Sequence, residues 1–265
     1  MSTVRTAWHL YFALFVKEGA PPGFAVRLEV TLTTEPQRGD LLLLRRGERR
    51  DGEARTLRGL WPLLPSDTIV EFKSLSWPLR KGDLARLQGY GAQYFAAQVD
   101  ERPFGLADLA LVLVVPTRTP TLTDELTRMG WTMTEISRGY ARVEGSGYAF
   151  HVVILAEVVD AEHDELLGLF SRRKDWTQAQ FSWFWQHKTA SMEGVSVERT
   201  EDFQQLGKEM YDYAMEHPEL RAVVLRHTLL SLPDEALRAL SDDYLRTLPV
   251  EVAEAVRARI GRPTS

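Results

Sequence analysis

Apolar residues recur at helical spacing at the start of the chain, at Trp8, Leu10, Tyr11, Leu14 and Phe15, predicting a helix over residues 5 to 17 that Gly19, Pro21 and Pro22 end. From Phe24 to Thr33 the pattern changes to alternation. Val26, Leu28, Val30 and Leu32 fall on one side and Ala25, Arg27, Glu29 and Thr31 on the other, as in a half-buried strand. Asp40 to Arg45 and Thr68 to Ser74 read as two further strands. A helix over 82 to 97 follows, with Leu84, Leu87, Gly91 and Tyr94 on one side and Asp83 as its predicted N-cap. Leu109 to Val115 is apolar throughout, as a strand buried on both faces requires. Strand, helix and buried strand in succession call for a parallel pair joined by a right-handed crossover. The expected fold is α/β, a mixed central sheet flanked by helices.

Beyond this core, Thr121 to Met129 reads as a helix, and Gly130 to Glu135, Gly139 to Glu144 and Tyr148 to Val158 as strands, the last two linked through Gly145-Ser146-Gly147. The character turns helical from about His163. Amphipathic segments at Phe203 to Met215, Pro218 to Leu230, Asp234 to Leu240 and Val250 to Ile260 are set off by Pro218, Pro233 and Pro249. Their apolar positions need cover, from the core or from a second copy, so a homodimer is one arrangement this region allows. The expected division is an α/β domain over 1–160 and a helical C-terminal region over 161–265.

With 44% hydrophobic and 26% charged residues over 265 positions, the expected class is a soluble globular chain with mass enough for a real core. The absence of cysteine removes disulfides, thiolate metal sites and cysteine nucleophiles. No apolar run reaches the roughly 18 residues of a membrane span, and the first residues lack a secretory signal's pattern, so a cytoplasmic protein with no membrane partner is expected. A net charge of −5 provides no global basic field. Contact with nucleic acid would have to come from a local patch. The six histidines show no H-E-x-x-H spacing, Gly145-Ser146-Gly147 is not a nucleophile elbow, and Gly89-Tyr90-Gly91 lies inside a helix and not in a phosphate-binding turn.

The chemistry concentrates in Thr68-Ile69-Val70-Glu71-Phe72-Lys73-Ser74. Alternation puts Glu71 and Lys73 on one face of a strand, about 6 to 7 Å apart along the chain. Such a pair is common on the wet face of an edge strand. Buried, it costs several kcal/mol unless paired, hydrogen-bonded or bound to a metal. Upstream, Asp40 stands at the mouth of the preceding strand. An acid before one strand, Glu-x-Lys on the next and a helix after it resemble the PD-(D/E)XK nuclease superfamily, most closely its Rpn-like, transposase-associated branch. The resemblance covers roughly residues 5 to 115.

That resemblance implies a restriction-endonuclease-like fold and a magnesium- or manganese-dependent nuclease acting on DNA, with RNA left open. Asp40 and Glu71 would be metal ligands, the backbone carbonyl of Phe72 a third oxygen, and Lys73 the group that orients or deprotonates the attacking water. In the string Arg86 to Tyr94 the resemblance implies a glutamine reaching the lysine or a phosphate. Gln88 is the candidate, with a structural hydrogen bond as the alternative, and Tyr90 and Tyr94 both compete for the tyrosine that accompanies it. Glu18 reads as a solvated acid. The charged stretch 46–57 reads as a surface loop, and the aromatic group Trp176, Phe181, Trp183, Phe184 and Trp185 reads as core and not as a base-stacking platform. The rival to the nuclease is a catalytically idle binding or scaffold protein on the same fold, with a helical partner-binding tail.

Overall fold

A computed structural model describes residues 7–31, 38–46, 54–171, 175–187, 191–192, 195–196 and 201–262. Of the charged stretch 46–57, residues 47–53 lie outside it, Arg49 and Arg50 among them. The chain forms two compact units, Met1–Lys174 and Asp175–Ser265. In the first, α1 (Ala7–Gly19) precedes β1 (Phe24–Thr31), β2 (Arg38–Arg45) and β3 (Asp67–Phe72), and then come α2 (Asp83–Glu101), β4 (Leu109–Val115) and α3 (Pro120–Met129). Strands β5 (Thr132–Ser137), β6 (Tyr140–Glu144) and β7 (Ala149–Ile154) and helix α4 (Leu155–Glu162) complete it.

The seven strands make one sheet in the order β1-β2-β3-β4-β7-β6-β5. Two antiparallel meanders flank a parallel centre: β1, β2 and β3 on one side, β7, β6 and β5 on the other, with β3, β4 and β7 parallel. The central strand is β4, buried at every position, which is why its seven residues carry no polar side chain. Register sorts the side chains into two faces. Leu42, Ile69, Leu111 and Phe150 belong to the face covered by Leu84 and Leu87 of α2 and Leu122 and Leu126 of α3. On the other face Phe72 stacks on Phe12 of α1 with ring centres 4.2 Å apart, and Phe170 packs edge-on against both.

Some elements depart from the sequence reading. The strand expected to run to Val158 stops at Ile154, and the chain turns into α4 at Leu155. Ile154 pairs with Val115, the last residue of β4, and Val153 with Tyr140, the first of β6, so a longer β7 would find no ladder on either side. Helix α2 runs one turn further than expected, to Glu101, where Pro103 ends it. Its N-cap is Gly82 in a left-handed conformation (φ 88°), not Asp83, which is the first helical residue.

The second unit is helical, with α5 (Gln178–His187), a two-residue pairing of β8 (Ser191–Met192) with β9 (Val195–Ser196), and then α6 (Glu201–Glu216), α7 (Pro218–Leu230), α8 (Asp234–Arg238), α9 (Asp242–Thr247) and α10 (Val250–Ile260). Leu229, Leu237, Leu245, Val252 and Val256 meet in one apolar cluster, so these helices cover one another. Phe181, Trp183, Phe184 and Trp185 are buried and offer no platform for bases. Helix α9 has no counterpart in the sequence reading. It is too short for a periodic pattern and is started by the Ser241 hydroxyl, which accepts the Tyr244 N–H.

One buried group on β7 makes the first unit sensitive to acid. His151 is 3% exposed, stands between Val112 and Arg142 in register, and its Nδ1 has no hydrogen-bond partner. Burial, and next the Arg142 charge, lowers its pKa from 6.5 to about 4. The unfolded chain therefore takes up this proton at a higher pH than the folded one does. Its contribution is complete above pH 6.5 and is lost as the pH falls towards 4, by up to about 3 kcal/mol. Urea unfolding at stepped pH should show this fall, and His151→Leu should flatten it relative to wild type; an unchanged slope in that variant would refute the assignment.

Candidate functional site

Strands β2 and β3 pair as far as Leu41 and Val70. Past that point a side chain takes over from the backbone, because Asp40 Oδ2 accepts the Phe72 N–H at 2.8 Å. Asp40 is only 5% exposed, and His9 Nε2 of α1 lies 3.9 Å from the same oxygen. On the other side of β3 the Lys73 N–H donates to the Val114 carbonyl of β4 at 2.8 Å. Lys73 thus continues the ladder one residue past the end of β3. Phe72 sends its ring into the α1 face, so alternation sends Glu71 and Lys73 to the α2 face.

The Lys73 ammonium is buried, 5% exposed for the residue, and it has two carboxylate neighbours: Glu71 Oε1 at 2.8 Å and Asp83 Oδ2 at 3.2 Å. Asp83 reaches it because the chain turns back through residues 74 to 82. Ser74 Oγ accepts the Trp77 N–H, the left-handed Gly82 starts α2, and Asp83 Oδ2 accepts the Arg80 N–H at 2.8 Å. Asp83 Oδ1 is in turn held by Arg86. Two carboxylates therefore flank the buried ammonium, and one of them, Asp83, also holds an exposed guanidinium.

Burial alone would lower the Lys73 pKa. The Glu71 charge and hydrogen bond, followed by Asp83 and Asp40, more than offset it, and the pKa is raised. Asp83 is the mirror case: burial would raise its pKa, but Lys73, the Arg80 amide and Arg86 hold it low. Tyr90, two turns into α2, has its pKa raised by burial first and by Glu71 next, and stays a phenol. At neutral pH this corner holds a lysine cation, not a free amine.

Glu71 and Lys73 are paired on the α2 face, and Asp40, at the same end of β2 and β3, sits on the Phe72 amide beside His9 of α1 and acts on Lys73 through its charge. Gln88 does not join them. Its amide nitrogen donates to the Ser146 carbonyl at 3.1 Å, in the turn before β7, which lies beyond the other end of the parallel strands. Glu18 is exposed at the end of α1. Asp83 and His9 belong to this corner and were not singled out for it by the sequence reading; of the two competing tyrosines, Tyr90 feels the Glu71 and Lys73 charges, while Tyr94 donates to Asp67. For His9 a signal existed, since it shares a helix side with Phe12 and Val16.

The donor chemistry suits a small divalent cation. Asp40 and Glu71 carry hard oxygen donors of the type Mg²⁺ and Mn²⁺ take, the Phe72 carbonyl follows Glu71 directly in the chain, and carboxylate exceeds ammonium. Among the described residues no group of three or more His, Asp or Glu side chains is arranged to hold a metal ion, so the fit rests on two carboxylates and a backbone oxygen. The described residues also include no helix long and apolar enough to cross a membrane. Comparison with protein-family models, with curated proteins and with solved structures finds no match.

Proposed function

We propose that the chain is a metal-dependent nuclease that hydrolyses DNA phosphodiester bonds through Asp40, Glu71 and Lys73, on a fold related to the restriction endonucleases. One helix, three antiparallel strands, a crossover helix and a parallel fourth strand make up the core order that the PD-(D/E)XK resemblance implies. The observation that carries the reading is the buried Lys73 ammonium, 2.8 Å from Glu71, with Asp40 on the amide of the one residue between them.

A bound Mg²⁺ or Mn²⁺ would supply Lewis acidity and an acidified water for in-line attack. The chain's own part is positional and electrostatic. Asp40, Glu71 and the Phe72 carbonyl would hold the ion. Lys73, kept cationic by Glu71 and Asp83, donates hydrogen bonds to the phosphate oxygens where negative charge grows. Deprotonation of water by Lys73 would require a neutral amine, which the raised pKa disfavours.

One observation favours the idle-scaffold reading instead: Lys73 already has its charge met by two carboxylates of the chain itself. A single experiment separates the two. Purified full-length chain incubated with supercoiled plasmid should nick or linearise it with Mg²⁺ or Mn²⁺ and leave it intact with chelator. Intact plasmid under both metals would leave the scaffold as the better account.

A further inference from the structure

At the opposite end of α2 from Lys73, a cleft of about 560 Å³ opens between the β1-β2-β3 meander and the helix's last turns. Its floor is apolar, from Leu42, Leu44 and Ala97. Its rim carries three arginines, Arg27, Arg46 and Arg102, in a chain whose net charge is −5. Two acids, Asp67 and Glu101, also line it, but Asp67 is already committed: it accepts from the Tyr94 hydroxyl and pairs with Arg102. Arg27 and Arg46 are exposed and have no ion-pair partner among the described residues. Arg45, also in the lining, turns its guanidinium to the other face of the sheet, where it lies over the Phe24 ring and donates to the Leu64 carbonyl.

We propose that this cleft binds a phosphate monoester carried on a flat organic body, the chemistry of a mononucleotide. The volume lies within the range of small-molecule sites. Guanidinium groups are the side chains best matched to a phosphate, which they grip through paired N–H donors. The apolar floor suits the face of a ring, and the Gln98 amide at the wall, whose oxygen accepts from Arg102 Nε, has its N–H groups to offer the ring's edge. The site shares no residue with the Lys73 corner, so it stands whether or not the chain cuts DNA.

The test is calorimetric titration of the full chain with adenosine monophosphate, adenosine and inorganic phosphate. The monophosphate should bind saturably, and adenosine and inorganic phosphate each at least about tenfold more weakly. Arg27→Gln and Arg46→Gln, both at exposed positions, should each weaken the monophosphate by about tenfold with unchanged melting temperature, whereas Lys73→Ala should bind it as wild type does. No saturable binding, equal affinity for adenosine or for inorganic phosphate, unaltered binding in both arginine variants, or loss of binding in Lys73→Ala would each overturn the assignment.

Discussion

Lys73→Ala is expected to lower plasmid cleavage by about 10²- to 10⁴-fold while leaving divalent-ion affinity unchanged or tighter. The ammonium lies 2.8 Å from Glu71 and 3.2 Å from Asp83, where it neutralises the carboxylates that would attract a cation. Removing it takes away a positive charge that repels Mg²⁺ and the donor that meets charge growing on the phosphate. Glu71→Ala should fail differently. It deletes a proposed ligand, so ion binding by calorimetry should weaken sharply and cleavage vanish with it. Asp83 and Arg86 remain in both variants, which keeps the turn before α2 in place. Wild-type cutting by Lys73→Ala would reduce Lys73 to a charge partner and remove the main support for the nuclease.

Phe72→Ala should cost about 3 to 5 kcal/mol of stability, the usual penalty for truncating a fully buried aromatic. The ring is wholly buried, stacked on Phe12 at 4.2 Å, with Phe170 and His9 edge-on at 6.2 and 5.4 Å. Little of that cavity can collapse, because α1, the sheet and the turn carrying Phe170 all lean on it. In thermal unfolding this amounts to roughly 10 °C. The variant keeps the backbone carbonyl and the amide that Asp40 accepts, so below its melting point ion binding should persist. A melting temperature within about 2 °C of wild type would contradict this account of the packing.

The elements easiest to read in the sequence were those whose own residues mark them. Pro218 and Pro249 open or immediately precede α7 and α10, and the uninterrupted run Leu109 to Val115 could belong only to a strand covered on both faces. Glu71 and Lys73 stood out because charges interrupt an apolar strand. What the sequence hid depends on chain path. Asp83 meets Lys73 only because residues 74 to 82 double back, and no spacing rule gives a ten-residue return; the same aspartate looked like a helix cap. Gln88 shared a helix side with core leucines, but its distance along α2 carries it towards Ser146 and away from Lys73. The end of β7 was set by where β4 and β6 stop, which is information held by other segments.

The parallel centre of the sheet also governs the order in which this corner can form. Antiparallel pairing brings β2 to β3 across a connection of about 20 residues, whereas Thr68 meets Ala110, and Val112 meets His151, across about 40. Longer closures cost more chain entropy before any contact repays them, so the meanders are the cheaper pairings and the parallel joins the dearer ones. Asp40 can therefore reach the Phe72 amide within an early hairpin. The Lys73 amide must wait for Val114, and its ammonium must wait for α2 to cross over and deliver Asp83. A chain arrested before the crossover would carry the carboxylates without the fixed cation, so the complete corner is a property of the finished sheet and of no smaller piece of it.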